Sequence, residues 1–326
     1  MYKQPSRNGS SAQIINKMKD LSNVASVEVD SASEGQRVDN FLMRVCKGVP
    51  RSHIYRVLRT GEVRVNSRRV DATYRLQPGD KVRIPPIRTA DRPRKPAPPT
   101  GSLPPVVHED DALLVVDKPA GLAVHGGSGV SFGVIEQFRA ARPQLRFLEL
   151  VHRLDRDTSG LLILAKKRSA LTALHAALRE GRVHKRYLAL VQGTWRERER
   201  RIDLPLKKYL TKSGERRVSV HREGRDSQTV IRRERPLRDF TLLSAELLTG
   251  RTHQIRVHLA HLGFPVAGDE KYGDYERNRA LAKQGLGRLF LHAAELDFVH
   301  PASGRRMRLA SPLPSALERF LDSLPA

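Results

Sequence analysis

No apolar run in this chain is longer than Leu161-Leu162-Ile163-Leu164-Ala165, and it follows directly on His152-Arg153-Leu154-Asp155-Arg156-Asp157-Thr158-Ser159-Gly160. A short apolar run bounded by a turn cluster predicts a buried strand with the polar cluster at its mouth. The nine polar-side residues taken alone describe an ordinary turn, since Asp, Thr, Ser and Gly all favour turns. What raises them above a turn is the placing of an ionisable Asp155, between Arg153 and Arg156, at the edge of a hydrophobic core.

Composition narrows the partner. Across 326 residues, Lys and Arg outnumber Asp and Glu 59 to 35, a formal charge of +24. Such an excess strains a compact state by self-repulsion and suits a polyanionic partner, with nucleic acid favoured. No segment has the apolar length that spans a bilayer, so no membrane partner is expected. The start, Met1-Tyr2-Lys3-Gln4-Pro5-Ser6, lacks an apolar signal region, and a cytoplasmic location is expected. Cys46 is the single cysteine, which excludes an intrachain disulfide and a multi-thiolate zinc site.

Residues 1–35 are Ser-rich and without period and read as a flexible tail. Residues 36–86 form a compact basic unit. Val38, Phe41, Leu42 and Val45 make one helical stripe; Ile54, Val57 and Leu58 make a second over Arg51–Thr60, closed by Gly61. Short strands follow at Val63–Val65 and Lys81–Ile84. This unit holds 12 Lys and Arg against 4 Asp and Glu, a third of the chain's surplus. Arg51, Arg56, Arg59 and Arg64 offer a surface suited to phosphate. Through Arg37-Val38-Asp39-Asn40-Phe41-Leu42, Ser52-His53-Ile54-Tyr55-Arg56, Gly61–Asn66 and Pro78-Gly79-Asp80, the unit resembles the alpha-L RNA-binding motif. Residues 87–105, with six prolines, predict an extended basic linker.

From residue 106 to 326 strands and helices intersperse without a strand–helix–strand repeat. The expected class is α+β with a mainly antiparallel mixed sheet. Leu113–Val116 and Tyr187–Val191 read as strands; Gly133–Arg142, Ser169–Glu180 and Thr252–Leu262 read as helices, the last with a Thr252 cap. Arg217–Leu248 reads as an antiparallel meander.

Four stretches carry chemistry-bearing side chains: Lys118–Gly127, the Asp155 cluster, Lys185-Arg186-Tyr187-Leu188-Ala189, and Gly250-Arg251-Thr252-His253-Gln254-Ile255-Arg256-Val257-His258. The glycines of the first match neither a dinucleotide fingerprint nor a P-loop, leaving a structural turn. Tyr187 alone reads as core. Arg251 lies at a helix mouth, able to point into a cleft. His253, His258 and His261 fall on different helix faces without an acidic companion, so no metal is expected, and they read as structural or as contacts to RNA phosphate. No Gly-x-Ser-x-Gly elbow supports a hydrolase.

Taken together, the four stretches resemble the RluA-type pseudouridine synthases. The resemblance spans about Arg37 to Pro314 and includes His-Arg-Leu-Asp before the apolar strand, Lys-x-Tyr, Gly-Arg-Thr-His-Gln-Ile-Arg, and Arg288-Leu289-Phe290-Leu291-His292-Ala293. It implies isomerisation of uridine to pseudouridine in 23S ribosomal RNA or a large-subunit assembly intermediate, by a monomer without cofactor. It also implies that Asp155 is the essential carboxylate, with Arg251 beside it and Tyr187 stacked on the base. Arg153 fills the gap left by a flipped uridine and Leu291 walls the base pocket. Whether Asp155 attacks the sugar or base, or abstracts a proton, stays open at this point. The alternatives are the same reaction on tRNA or another rRNA site, and a non-catalytic RNA-binding assembly factor. The last predicts a missing Asp or Tyr, and both are present.

Overall fold

The computed structural model describes residues 23–46, 48–87, 103–127, 132–211 and 213–325. The chain divides into two compact units, residues 1–96 and 97–326. Residues 1–22 of the expected tail and 88–102 of the expected linker lie outside the described residues.

In the first unit β1 (Ala25–Glu28), α1 (Val38–Val45), α2 (Arg51–Arg59), β2 (Arg64–Val65) and β3 (Lys81–Ile84) build a three-stranded sheet under two helices. The sheet is antiparallel in the order β1–β3–β2. Both helical stripes point into one core, where Val38, Leu42, Ile54, Val82 and Ile84 are fully buried. The tail expected over 1–35 is therefore too long. Ala25–Glu28 pairs residue for residue with Lys81–Ile84 and buries Val27, and Ile87 joins the same core rather than the linker. A four-residue strand in a Ser-rich context shows its identity only through its distant partner.

Asp39, at the start of α1, is almost completely buried. It takes Nη2 of Arg37 at 2.6 Å and the hydroxyl of Tyr55 at 3.0 Å. Burial works against the carboxylate, but the bonds from Arg37, Tyr55 and the Asn40 N–H outweigh it, so its pKa lies below the ordinary value. A depressed folded-state pKa stabilises above the unfolded pKa, and that contribution disappears as pH falls through the folded one. We expect Asp39→Ala to cost roughly 1–2 kcal/mol at neutral pH. Urea titrations from pH 7 to pH 2 should show the wild-type advantage shrinking on the acid side; a difference constant across that range would refute the account.

The second unit is built on one ten-stranded sheet. Its path runs β4 (Val106–Glu109), β5 (Leu113–Lys118), β7 (Ser159–Ala165), β14 (Leu291–Val299), β8 (His184–Gln192), β13 (Phe240–Leu247), β12 (Gln228–Pro236) and β9 (Glu199–Asp203). Strand β6 (Glu149–Leu150) adds to β7 and β15 (Arg306–Ala310) to β14. The class is α+β, and among the described strands only β7 with β14 is parallel. Helix α3 (Val134–Ala141) supplies Val134, Ile135 and Phe138 to one core; α4 (Arg168–Arg179) supplies Ala170 and Leu174 to another. The meander expected over Arg217–Leu248 needs correction. Only β12 and β13 pair in sequence; β11 (Arg216–Val220) joins β10 (Leu206–Leu210) in a separate two-stranded sheet, and β12 takes β9 as its second neighbour.

The apolar run forms β7, buried along its whole length. Its parallel seam with β14 sets Ser159 opposite His292 and Gly160 opposite Ala293. Gly160 has φ of +109°, and a Cβ there would sit 2.3 Å from the carbonyl oxygen of Ala293. Gly160→Ala therefore meets a backbone barrier and a steric one together, and should cost about 2–5 kcal/mol. Thermal unfolding of Gly160→Ala beside wild type tests this, and an unchanged midpoint would mean that the seam is not rigid.

Candidate active site

Asp155 sits in the turn between β6 and β7, where its carbonyl accepts the N–H of Thr158 at 3.3 Å. The turn is strapped from β5. Lys118, fully buried, donates its ammonium to the carbonyl oxygens of Pro119, Leu122 and Arg156 at 2.8–2.9 Å. Burial pushes its pKa down to about 7, while three acceptors and nearby Asp157 and Asp155 support its charge. The Lys118–Gly127 stretch is thus a structural turn whose lysine fixes the Asp155 loop. His152 does related work: desolvation pushes its pKa down to about 3 and keeps the ring neutral, and its Nε2 accepts the Ile163 N–H at 3.1 Å.

Asp155 opens into a cavity of about 450 Å3, a size that admits a small ligand. Tyr187 of β8 and Leu291 of β14, both nearly inaccessible, form its apolar wall, with the exposed Arg153 at its edge. Tyr187 stands opposite Ala245 and Ala293 in the sheet, so small neighbours leave room beside its ring. Burial, and then the charge of Asp155, raise the Tyr187 pKa above its usual range, so the phenol keeps its proton at neutral pH. Lys185 also lines the cavity, its pKa lowered by burial.

The guanidinium beside Asp155 belongs to Arg256, not to Arg251 as expected. Nη1 of Arg256 lies 3.3 Å from Oδ2 of Asp155, while its Nε and Nη2 make a bidentate pair with Asp269, both at 2.7 Å. Desolvation opposes the Arg256 charge, but Asp269 and then Asp155 more than restore it, and its pKa is raised. Arg251 is exposed and spends Nε on the carbonyl oxygen of Asp226 at 3.0 Å. It still borders the cavity, and with Gly250 and Thr252 it also borders a second one lined by Lys207, Lys208 and Arg225.

The exchange has a local cause. The helix expected from Thr252 begins at Gln254: α5 spans Gln254–His261, preceded by His253 in the left-handed region at φ 54°. Buried Gln254 turns its side chain back, accepting from Thr249 Oγ1 and the Arg251 N–H and donating to the Gln228 carbonyl and Thr229 Oγ1. That leaves Arg251 ahead of the helix and Arg256 on its buried face. Asp269 is a site residue that the sequence reading missed; it follows Gly268 thirteen positions after Arg256, outside the motifs, and only the fold makes it the partner of Arg256.

The three histidines separate. His253 lines the cavity; His258 is buried between Thr229 Oγ1 and the Leu204 carbonyl, 2.9 Å from each; His261 lies at the end of α5. Among the described residues no group of three or more His, Cys, Asp or Glu is disposed to hold a metal ion. In the first unit, Arg51, Arg56, Arg59 and Arg64 are exposed, and Arg56 reaches His53 at 3.3 Å.

Residues 112–261 match the family described as RNA pseudouridylate synthase, and residues 36–82 match the S4 domain. Ribosomal large subunit pseudouridine synthase C of Escherichia coli (strain K12) is 52% identical over 305 residues, 91% of this chain and 96% of that protein. The protein of the same name from Vibrio cholerae serotype O1 is 48% identical over the same shares. The solved structure of Human RNA Pseudouridylate Synthase Domain Containing 1 is 27% identical with a TM-score of 0.56, covering 68% of this chain and 89% of that one. A cavity holding Asp155, Tyr187 and a buried arginine, on a chain matched over nine-tenths of its length, leads to one assignment: this chain belongs to the RNA pseudouridylate synthase family and carries an S4 domain ahead of its catalytic unit.

Proposed function

We propose that the chain converts uridine to pseudouridine in 23S ribosomal RNA, within the large subunit or an assembly intermediate of it. The observation that carries the reading is the meeting of Asp155, Tyr187, Leu291 and Arg256 around one cavity, supported by the names of the relatives. In the reaction the bond from ribose C1′ to uracil N1 breaks, the base turns, and C1′ bonds to C5. The hydrogen on C5 is lost and N1 gains one, so substrate and product are isomers and no redox partner or outside group is consumed.

Asp155 supplies the carboxylate, as a nucleophile towards sugar or base or as a base towards the sugar. Arg256 holds it through one oxygen. Tyr187, protonated and buried, stacks on the uracil and stands near the C5 proton in flight. Arg153 enters the RNA in place of the extruded uridine, because the target must leave its stack to reach Asp155 in the cavity. Arg51, Arg56, Arg59 and Arg64 of the S4 domain contact phosphate and set register rather than identity. Arg251, with Lys207, Lys208 and Arg225, extends the basic surface beside the cavity. We propose a monomer acting in the cytoplasm; no described helix is long and apolar enough to cross a membrane.

Chemical mapping of pseudouridine in RNA from a deletion strain tests the assignment. Loss of modification from 23S RNA, restored by wild type but not by Asp155→Asn, supports it. Loss confined to tRNA would replace the substrate, and unchanged RNA would refute the reading.

A further inference from the structure

His253 lines the cavity and precedes α5 in an uncommon backbone conformation. Its φ of 54° and ψ of 22° lie in the left-handed region, uncommon for any residue but Gly, although His, like Asn and Asp, enters it more readily than most. Strained backbone of this kind persists where the surroundings hold it, often at functional sites. The holding group here is Tyr272. Its oxygen receives the N–H of Val218 at 3.1 Å and lies 2.7 Å from Nδ1 of His253, and the two rings meet edge-on at 5.5 Å.

One arrangement gives every polar hydrogen of this group an acceptor. The Tyr272 oxygen accepts from Val218, and its own proton finds its acceptor in Nδ1 of His253. A ring that accepts at Nδ1 while neutral carries its proton on Nε2. Burial lowers the His253 pKa, which agrees with a neutral ring. Nε2 faces Asp155, 3.9 Å from Oδ1, while Arg256 holds the other oxygen, Oδ2, at 3.3 Å. The separation exceeds a hydrogen bond by about an ångström, and catalytic hydrogen bonds commonly tighten only in the substrate complex.

We infer that His253 is a positioning residue for the isomerisation: its Nε2–H, held in one tautomer by Tyr272, closes on Oδ1 of Asp155 when uridine enters. With one donor on each oxygen, the carboxylate plane cannot rotate, and one face of it is presented to the ribose. The inference rests on the reading of Asp155 as the catalytic carboxylate. It also accounts for a histidine in a backbone conformation that asparagine adopts more readily: asparagine suits the turn, but its side chain is too short to reach Asp155.

Single-turnover conversion of a 23S RNA fragment tests this with His253→Asn, His253→Gly and Tyr272→Phe in the full chain. Asn and Gly both accept the left-handed backbone while removing the imidazole donor. Each should slow the chemical step by roughly 10–100-fold, with the fragment's Kd within about twofold of wild type. Added imidazole should speed His253→Gly at least several-fold and leave wild type unchanged, a response that a purely structural role would not give. Tyr272→Phe, which frees the ring to change tautomer, should fall between. Wild-type rates in His253→Asn, or no effect of imidazole on His253→Gly, would overturn the positioning role alone. A wild-type chain that converts no uridine would overturn the functional reading and this inference together.

Discussion

Asp155→Asn should abolish pseudouridine formation, lowering the single-turnover rate by about three orders of magnitude or more, with RNA affinity within a few-fold of wild type. The substitution is nearly isosteric. The new side-chain amide would still offer an oxygen to Nη1 of Arg256, and the Lys118 strap acts on the carbonyl oxygens of the loop, not on the side chain. The cavity and the loop should therefore survive, as should the basic surfaces that bind RNA. What disappears is the negative charge, and with it both chemical options, since a neutral amide neither attacks C1′ usefully nor accepts a proton at neutral pH. On the proposed reading affinity comes mainly from phosphate contacts made by arginines and lysines elsewhere, so binding and chemistry should separate. Turnover at even a tenth of the wild-type rate would move the catalytic role to another residue. Near-total loss of affinity would instead mean that Asp155 shapes the RNA site.

The elements legible in the sequence were those whose signal is local. Leu161–Ala165 announces a buried strand because five consecutive apolar side chains bounded by turn residues are too short for a buried helix and fit a strand covered on both faces. Arg51–Arg59 declares its helix through Ile54, Val57 and Leu58, and Lys81–Ile84 alternates cleanly. Ala25–Glu28 was hidden because a strand of four residues is defined by pairing with Lys81–Ile84, more than fifty positions away. For the same reason Arg216–Val220 read as part of a meander, although its partner is Leu206–Leu210 on the N-terminal side. Within the site, Asp155 stands out by its place between two arginines at the mouth of a strand, whereas Tyr187 alone reads as core and enters the site only through the family resemblance. The identity of the paired arginine was not legible, because it depends on where α5 starts. A Thr at 252 is a good cap by propensity, yet the hydrogen bonds of buried Gln254 to four different groups outweigh it and move the start by two residues. Tyr272 and Asp269 lie outside the quoted motifs and act only through the tertiary fold.

Replacing the two arginines of the Gly-Arg-Thr-His-Gln-Ile-Arg stretch should produce opposite phenotypes. Arg256 is almost inaccessible and bridges Asp155 to Asp269, whose side chain is completely buried. Arg256→Met would strand the Asp269 carboxylate with only the N–H groups of Lys271 and Tyr272 for company. Removing one member of a buried pair typically costs about 3–5 kcal/mol, so a large fall in stability should accompany the loss of rate. Arg256→Lys separates the two effects: it keeps a charge near Asp269 but cannot serve both carboxylates with a planar fork, so it should recover part of the stability and little of the rate. Arg251→Met removes an exposed side chain whose Nε bonds the Asp226 carbonyl, and stability should change by less than about 0.5 kcal/mol. Its kcat should stay within a few-fold while KM rises, and if it contacts a phosphate the salt dependence of RNA binding should lose about 0.7 from its logarithmic slope. Urea unfolding, steady-state kinetics and a salt series on the three variants decide the matter. Should Arg251→Met lose turnover as severely as Arg256→Met while folding normally, the catalytic arginine would be Arg251 after all, brought to Asp155 by a movement of the Gly250–Thr252 loop on RNA binding.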